Sequence, residues 1–72
     1  MRRRNKIPNI VLFNCRRIRE LNNYTQFAVA EELECTSQNI SNFENGTNDS
    51  ATILLWYINH DKWGYLENGE TE

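Results

Sequence analysis

Between residues 37 and 45 the chain reads SQNISNFEN. Ser37, Gln38, Asn39 and Asn42 each carry a group that can both donate and accept a hydrogen bond. Groups of that kind read base edges in a DNA major groove, and a Gln or Asn amide matches the donor and acceptor of adenine. Solvated surface is the plainer use of such residues, but exposed helices more often carry Glu, Lys and Arg. A second cluster lies at the other end of the chain. Seven of the eight cations (Arg2, Arg3, Arg4, Lys6, Arg16, Arg17 and Arg19) fall in the first 19 residues, which hold no acid. All ten acids follow from Glu20 onward, against Lys62 alone. So basic an arm fits a polyanion such as nucleic acid, and it equally offsets an acidic body. Charge by itself leaves both uses open.

Other chemistries find little footing. His60 is the only histidine, with no serine elbow and no HExxH pattern about it. Cys15 and Cys35 have no paired Cys or His at metal-ligand spacing, so both are expected to serve as small apolar residues rather than as metal ligands or a disulfide. No nucleophile–base pair or metal cluster is apparent, so an enzyme is not expected, and neither is a cofactor. Asn-x-Ser/Thr triplets begin at Asn23, Asn39, Asn45 and Asn48, as an Asn-rich sequence produces by composition. Ile10–Phe13 after Met1–Arg4 faintly mimics an export signal, but Pro8, Asn9 and Asn14 confine the apolar run. A cytoplasmic protein without a membrane span is expected.

These groups need elements to position them. Seventy-two residues with a net charge of −2 and 39% hydrophobic side chains make one small domain. Apolar positions recur at helical spacing and none alternate with period two, so the class is all-α, a small four- to five-helix bundle. A basic arm over 1–8 precedes a domain over 9–66, and an acidic tail occupies 67–72. The first helix is expected near 9–22, turning Val11, Cys15, Ile18 and then Leu21 or Asn22 inward. Thr25 caps a second, from Gln26 to about Glu34, with Val29, Ala30 and Leu33 inward. Thr36 caps a third over 37–45, which buries Ile40 and Phe43 and stops at Gly46. Ala51, Leu54, Leu55 and Ile58 mark a fourth near 50–59, with Leu54, Leu55 and Ile58 expected to fill its inward face. One more turn is expected over 61–66.

Two short helices joined by a tight turn, each opened by a hydroxyl cap, outline a helix-turn-helix. Over residues 25–46, TQFAVAEELECTSQNISNFENG resembles the phage Cro/cI-repressor type helix-turn-helix family. The matching residues are Thr25-Gln26, Val29-Ala30, Leu33, Cys35, Ile40-Ser41 and Phe43-Glu44-Asn45-Gly46. With the first and fourth helices the resemblance covers about 10–59 and implies a lambda repressor-like DNA-binding domain. It implies base contacts from Ser37, Gln38 and Asn42, with Asn39 beside them, and phosphate contacts from Gln26 and Asn45. It also implies a structural ion pair between Arg19 and Glu44.

Two departures qualify that picture. Glu34 stands in the turn where the family usually has glycine, at a position expected to need a left-handed backbone. The third helix and the following Thr47-Asn48-Asp49 carry no cation, so phosphate neutralisation falls to Arg2, Arg3 and Arg4, with Arg16 or Arg17. Trp56, Tyr57, Trp63 and Tyr65 are more large aromatics than a thin core needs, and they are expected at a protein interface unless the last two fold back over the core.

The resemblance implies a small phage or prophage transcriptional regulator that binds double-stranded operator DNA, with weak homodimerisation. A second expectation is an antirepressor that acts by binding a cI-type repressor protein. Size, acidic body and aromatic C-terminus are similar in this respect to the modulator-of-repression proteins of temperate lactococcal phages. An antitoxin-type regulator is a third.

Overall fold

The structure is a computed structural model and describes residues 7–66. The expected basic arm and acidic tail therefore lie almost wholly outside the described residues, Arg2, Arg3 and Arg4 among them. Four helices make up the described chain, with no strand among those residues: α1 (Asn9–Leu21), α2 (Gln26–Leu33), α3 (Ser37–Asn45) and α4 (Ala51–Asn59).

Local chemistry sets the boundaries. Hydroxyls open three of the helices: Thr25 accepts from the Ala28 N–H at 3.0 Å, Thr36 from Asn39 at 3.2 Å and Ser50 from Ile53 at 3.4 Å. Each satisfies a backbone donor that the first helical turn would otherwise orphan. α3 ends at Gly46, which is left-handed at φ 88°, and a Cβ there would lie 3.2 Å from Leu12 Cδ1. That position asks for glycine twice, by conformation and by space. α2 ends at Glu34 in the same left-handed region, φ 58° and ψ 44°, without a glycine to ease it. The Cys35 N–H then donates to the Ala30 carbonyl at 2.9 Å and closes the turn into α3.

The core lies where all four helices meet. Leu12, Cys15 and Ile18 come from α1, Val29 and Ala30 from α2, Ile40 and Phe43 from α3, and Ile53, Trp56 and Tyr57 from α4. Phe43 and Tyr57 stack with centroids 5.5 Å apart. Leu33 and Leu54 are half-buried against this cluster. At the far end of α1, Asn22 Nδ2 donates to the Ile18 and His60 carbonyls at 2.8 and 3.1 Å, tying the helix to the end of α4. The Asp61 carboxylate accepts from the backbone N–H groups of Trp63, Tyr65 and Leu66 and shapes the turn expected there.

Two inward faces differ from those expected. On α1, Leu12 is buried and Val11 half-buried against the core, and of Leu21 and Asn22 it is Asn22 that turns inward while Leu21 is exposed. On α4, Leu55 is 55% and Ile58 46% exposed, while Ile53, Trp56 and Tyr57 are buried. The helix is apolar on every side, so its phase is set by which side chains fit and find polar partners. Trp56 Nε1 donates to exposed Glu32 at 2.8 Å and the Tyr57 hydroxyl to buried Glu44 at 2.5 Å, so both polar tips are satisfied.

Candidate nucleic-acid interface

α3 is held at its C-terminal end. Glu44 Oε2 accepts from Arg19 Nε at 2.7 Å and Oε1 from Arg19 Nη2 at 3.1 Å, a two-pronged pair. Gln26 Nε2 adds a bond at 3.2 Å and the Tyr57 hydroxyl a fourth. The Arg19 and Glu44 side chains are only 10% and 4% exposed. Arg19 Nη1 also donates to the Tyr24 carbonyl at 3.0 Å. One carboxylate thus binds α1, α2, α3 and α4 together. Burial pushes the Glu44 carboxyl upward, but hydrogen bonds from Arg19, Tyr57 and Gln26 outweigh it and hold the group below the usual carboxylate range.

The opposite end of α3 is open. Ser37 and Gln38 are exposed, Asn39 and Asn42 half-buried, and Asn45 exposed. Thr36 and the left-handed Glu34 turn the chain sharply before Ser37, leaving the first turn of α3 facing outward. Gln38 Nε2 donates to Asn42 Oδ1 at 3.0 Å, one helical turn along. These amides have no other side-chain partner among the described residues.

A shallow depression beside α3 brings together Arg16, Thr25, Gln26, Glu44 and Asn45. It contains the N-terminus of α2, where the helix dipole favours an anion. Arg16 is exposed and paired only with Glu20 at 3.2 Å, a surface ion pair of small worth that an incoming phosphate can displace. Gln26 is half-committed by its bond to Glu44. Arg17 is turned elsewhere: its guanidinium lies 5.2 Å from the centroid of the Tyr65 ring. Of the two arginines considered from the sequence, the structure places Arg16 beside Gln26 and Asn45.

The expected protein interface divides. Trp56, 5% exposed, and Tyr57, fully buried, belong to the core and are withdrawn from it. Their polar tips explain the error, since Glu44 in the interior and Glu32 at the surface accept from them and let the amphipathic rings sit inside. Trp63 is 38% exposed and stacks on half-buried Tyr65 at 5.8 Å. Sequence reasoning missed the exposed apolar side chains Ile10, Phe13, Leu21 and Phe27. Phe27 could have been found, because Val29, Ala30 and Leu33 already fill the inward stripe of α2.

Cys15 and His60 are both held within the fold. Burial, with help from Glu44 and Asp61, pushes the Cys15 thiol up to about 12, far from a reactive thiolate. His60 stacks on Trp56 with centroids 3.8 Å apart, and its Nδ1 lies 2.8 Å from the Trp56 carbonyl. Among the described residues no three His, Cys, Asp or Glu side chains are grouped to hold a metal, and no helix is long and apolar enough to cross a membrane. Compared with models of protein families, with curated proteins and with solved structures, the chain finds no match in any of the three.

Proposed function

We propose that this chain is a small transcriptional regulator of the Cro/cI helix-turn-helix type, of phage or prophage origin, acting on operator DNA in the bacterial cytoplasm. α2 and α3 form the helix-turn-helix, and α3 enters the major groove with Ser37, Gln38 and Asn42 toward the bases. Arg16, Gln26 and Asn45 meet the phosphates, and Arg2, Arg3 and Arg4 add charge from the arm. The observation that carries this reading is the polarity of α3 itself. One end is fixed to every other helix through Glu44, while the other holds amides in the open. The test is selection from a randomised duplex library at low salt, followed by a salt titration on the winning sequence. Recovery of a defined site supports the reading, and a slope reduced by replacing Arg2, Arg3 and Arg4 assigns the arm. Capture of all sequences alike, or of none, overturns it.

A second reading has its own support. Leu55, Ile58 and Trp63 are exposed, and Glu31 and Glu34 put negative charge beside a reading helix that has no cation. That surface suits an antirepressor, whose partner would be the cationic DNA-binding face of a cI-type repressor. Trp63→Ala measured in two assays separates the readings. Loss of the repressor complex with solitary DNA binding unchanged favours the antirepressor. Tight solitary binding that ignores the repressor favours the operator-binding regulator.

A further inference from the structure

We infer that this chain self-associates head to tail, the outer face of α1 in one copy seating the outer face of α2 in the next. Phe27 and Phe13 are the most exposed large hydrophobic side chains among the described residues, at 62% and 59%. Each stands in a frame of charge, and the two frames are opposite in sign. On α1, Ile10, Phe13, Arg17 and Leu21 recur at helical spacing and make one exposed stripe. Phe13, Arg16, Arg17 and Glu20 line a shallow concavity there. Glu20 is already paired with Arg16 at 3.2 Å, so Arg17 is the charge left over. The Tyr65 ring, its centroid 5.2 Å from the guanidinium, holds that charge beside the stripe. On α2, Phe27, Glu31 and Glu34 fall at i, i+4 and i+7, all exposed, and no cation shares the helix.

Order and spacing match as well as sign. In each helix the phenylalanine precedes the charged residue by four positions, about 6 Å along the axis. With α1 and α2 side by side and pointing the same way, Phe13 meets Phe27 of the next copy while Arg17 meets its Glu31. Two rings exposed to water are covered together, and the flanking charges attract. Reversing one helix keeps the rings together only by carrying Glu31 away from Arg17, toward Asn9. Either face set against its own like brings equal charges together, Arg16 and Arg17 or Glu31 and Glu34, which is costly. A second copy offers the complement of each face, so the contact is heterologous in type. Faces this short fall below the roughly 800 Å² per partner of a standard interface, so the association is weak and concentration-dependent.

The experiment is sedimentation velocity on the full chain alone, with neither DNA nor repressor present, over rising concentration and at low and high salt. The wild type should pass from monomer to larger species as concentration rises, and added salt should oppose this. Phe13→Ser and Phe27→Ser should each weaken association by roughly tenfold or more. Both side chains lie outside the core, so helical circular dichroism should stay unchanged. Mixed together, those two variants keep one intact contact and should form a one-to-one dimer that grows no further. Arg17→Glu and Glu31→Arg should each weaken association too, and the two combined in one chain should recover it in part. A wild type that stays monomeric at every concentration overturns the inference and leaves both faces to a different protein. Association that survives Phe13→Ser or Phe27→Ser, or that neither the mixture nor the charge swap rescues, overturns it as well. Operator binding is judged in a separate assay, so neither result bears on whether α3 reads bases.

Discussion

α3 is only nine residues long, and its two ends are opposite in physics. At Glu44 a carboxylate that is almost wholly buried accepts four hydrogen bonds from three other helices. At Gln38 an amide stands in water, bonded only to its neighbour one turn away. The Glu44 carboxylate has no bond to spare, and the open end contributes little to folding. A short helix that must present side chains to a ligand needs both, because presentation is only as exact as the far end is fixed. The difference between the ends is thus a division of labour, and each can be broken separately.

Breaking the anchor should have the largest effect. Arg19→Met leaves the Glu44 carboxylate buried with only Tyr57 and Gln26 to solvate it, a loss expected at about 3–5 kcal/mol. Urea denaturation monitored by helical circular dichroism measures it. Arg19→Met/Glu44→Leu should recover only part, because the Tyr57 hydroxyl and Gln26 amide then lack their acceptor. Acid offers the same test without mutation. The Glu44 carboxyl is held low in the native state, so its contribution is full above the ordinary carboxylate range. It should fade as pH falls through that range toward the lowered native value. Replacing Glu44 by Gln should flatten this part of the stability–pH curve, and a curve unchanged by that substitution would argue against the anchor.

Next in size is the wall behind the anchor. Trp56→Ala empties a buried site and frees the Glu32 carboxylate, with an expected cost of about 3–5 kcal/mol. Trp63→Ala, at a surface position stacked on Tyr65, should cost under about 1 kcal/mol. Comparable losses for the two would mean that Trp63 is part of the core after all.

That pair also marks where sequence was informative. The starts of α2 and α3 were legible because Thr25 and Thr36 are side chains with one strong local use, and α3 was legible because its apolar residues are few. Ile40 and Phe43 leave no choice of face. The all-α class followed from the same periodicity. α4 offered no such contrast: ILLWYI, residues 53–58, is a continuous apolar run, so spacing could not choose between Leu55–Ile58 and Trp56–Tyr57. What decided it were partners 13 and 24 residues away, Glu44 and Glu32, which no local pattern encodes. In α1 the run Ile10-Val11-Leu12-Phe13 was similarly ambiguous, and Leu12 is inward because Cys15 and Arg19 are. Of the candidate site, residue types along α3 were readable in advance. The bond between Gln38 and Asn42, and Arg16 rather than Arg17 beside Gln26, required the fold.

A smaller effect is expected at the turn that aims the open end. Glu34 adopts the left-handed conformation that Gly46 adopts at the end of the next helix, but it carries a Cβ. Glu34→Gly relieves that strain, at some cost in unfolded-chain entropy, for a net gain of about 1 kcal/mol. The gain should appear as a higher urea midpoint at constant slope. A loss instead would mean that the Glu34 side chain contributes more to the turn than its backbone costs.

The smallest effect should be at the open end itself. Gln38→Ala removes an exposed bond between residues one turn apart, a type worth about 0.2–0.5 kcal/mol in a helix. Alanine returns a similar few tenths through its better helix propensity. The two nearly cancel, so the midpoint of unfolding should move by less than about 0.5 kcal/mol. The contrast with Arg19→Met on the same apparatus then isolates what each end of α3 contributes. If Gln38→Ala instead destabilised by 2 kcal/mol or more, a magnitude reserved for buried groups, the amide pair would be part of the scaffold. It would then have little left to offer a base, and the division between the ends of α3 would not hold.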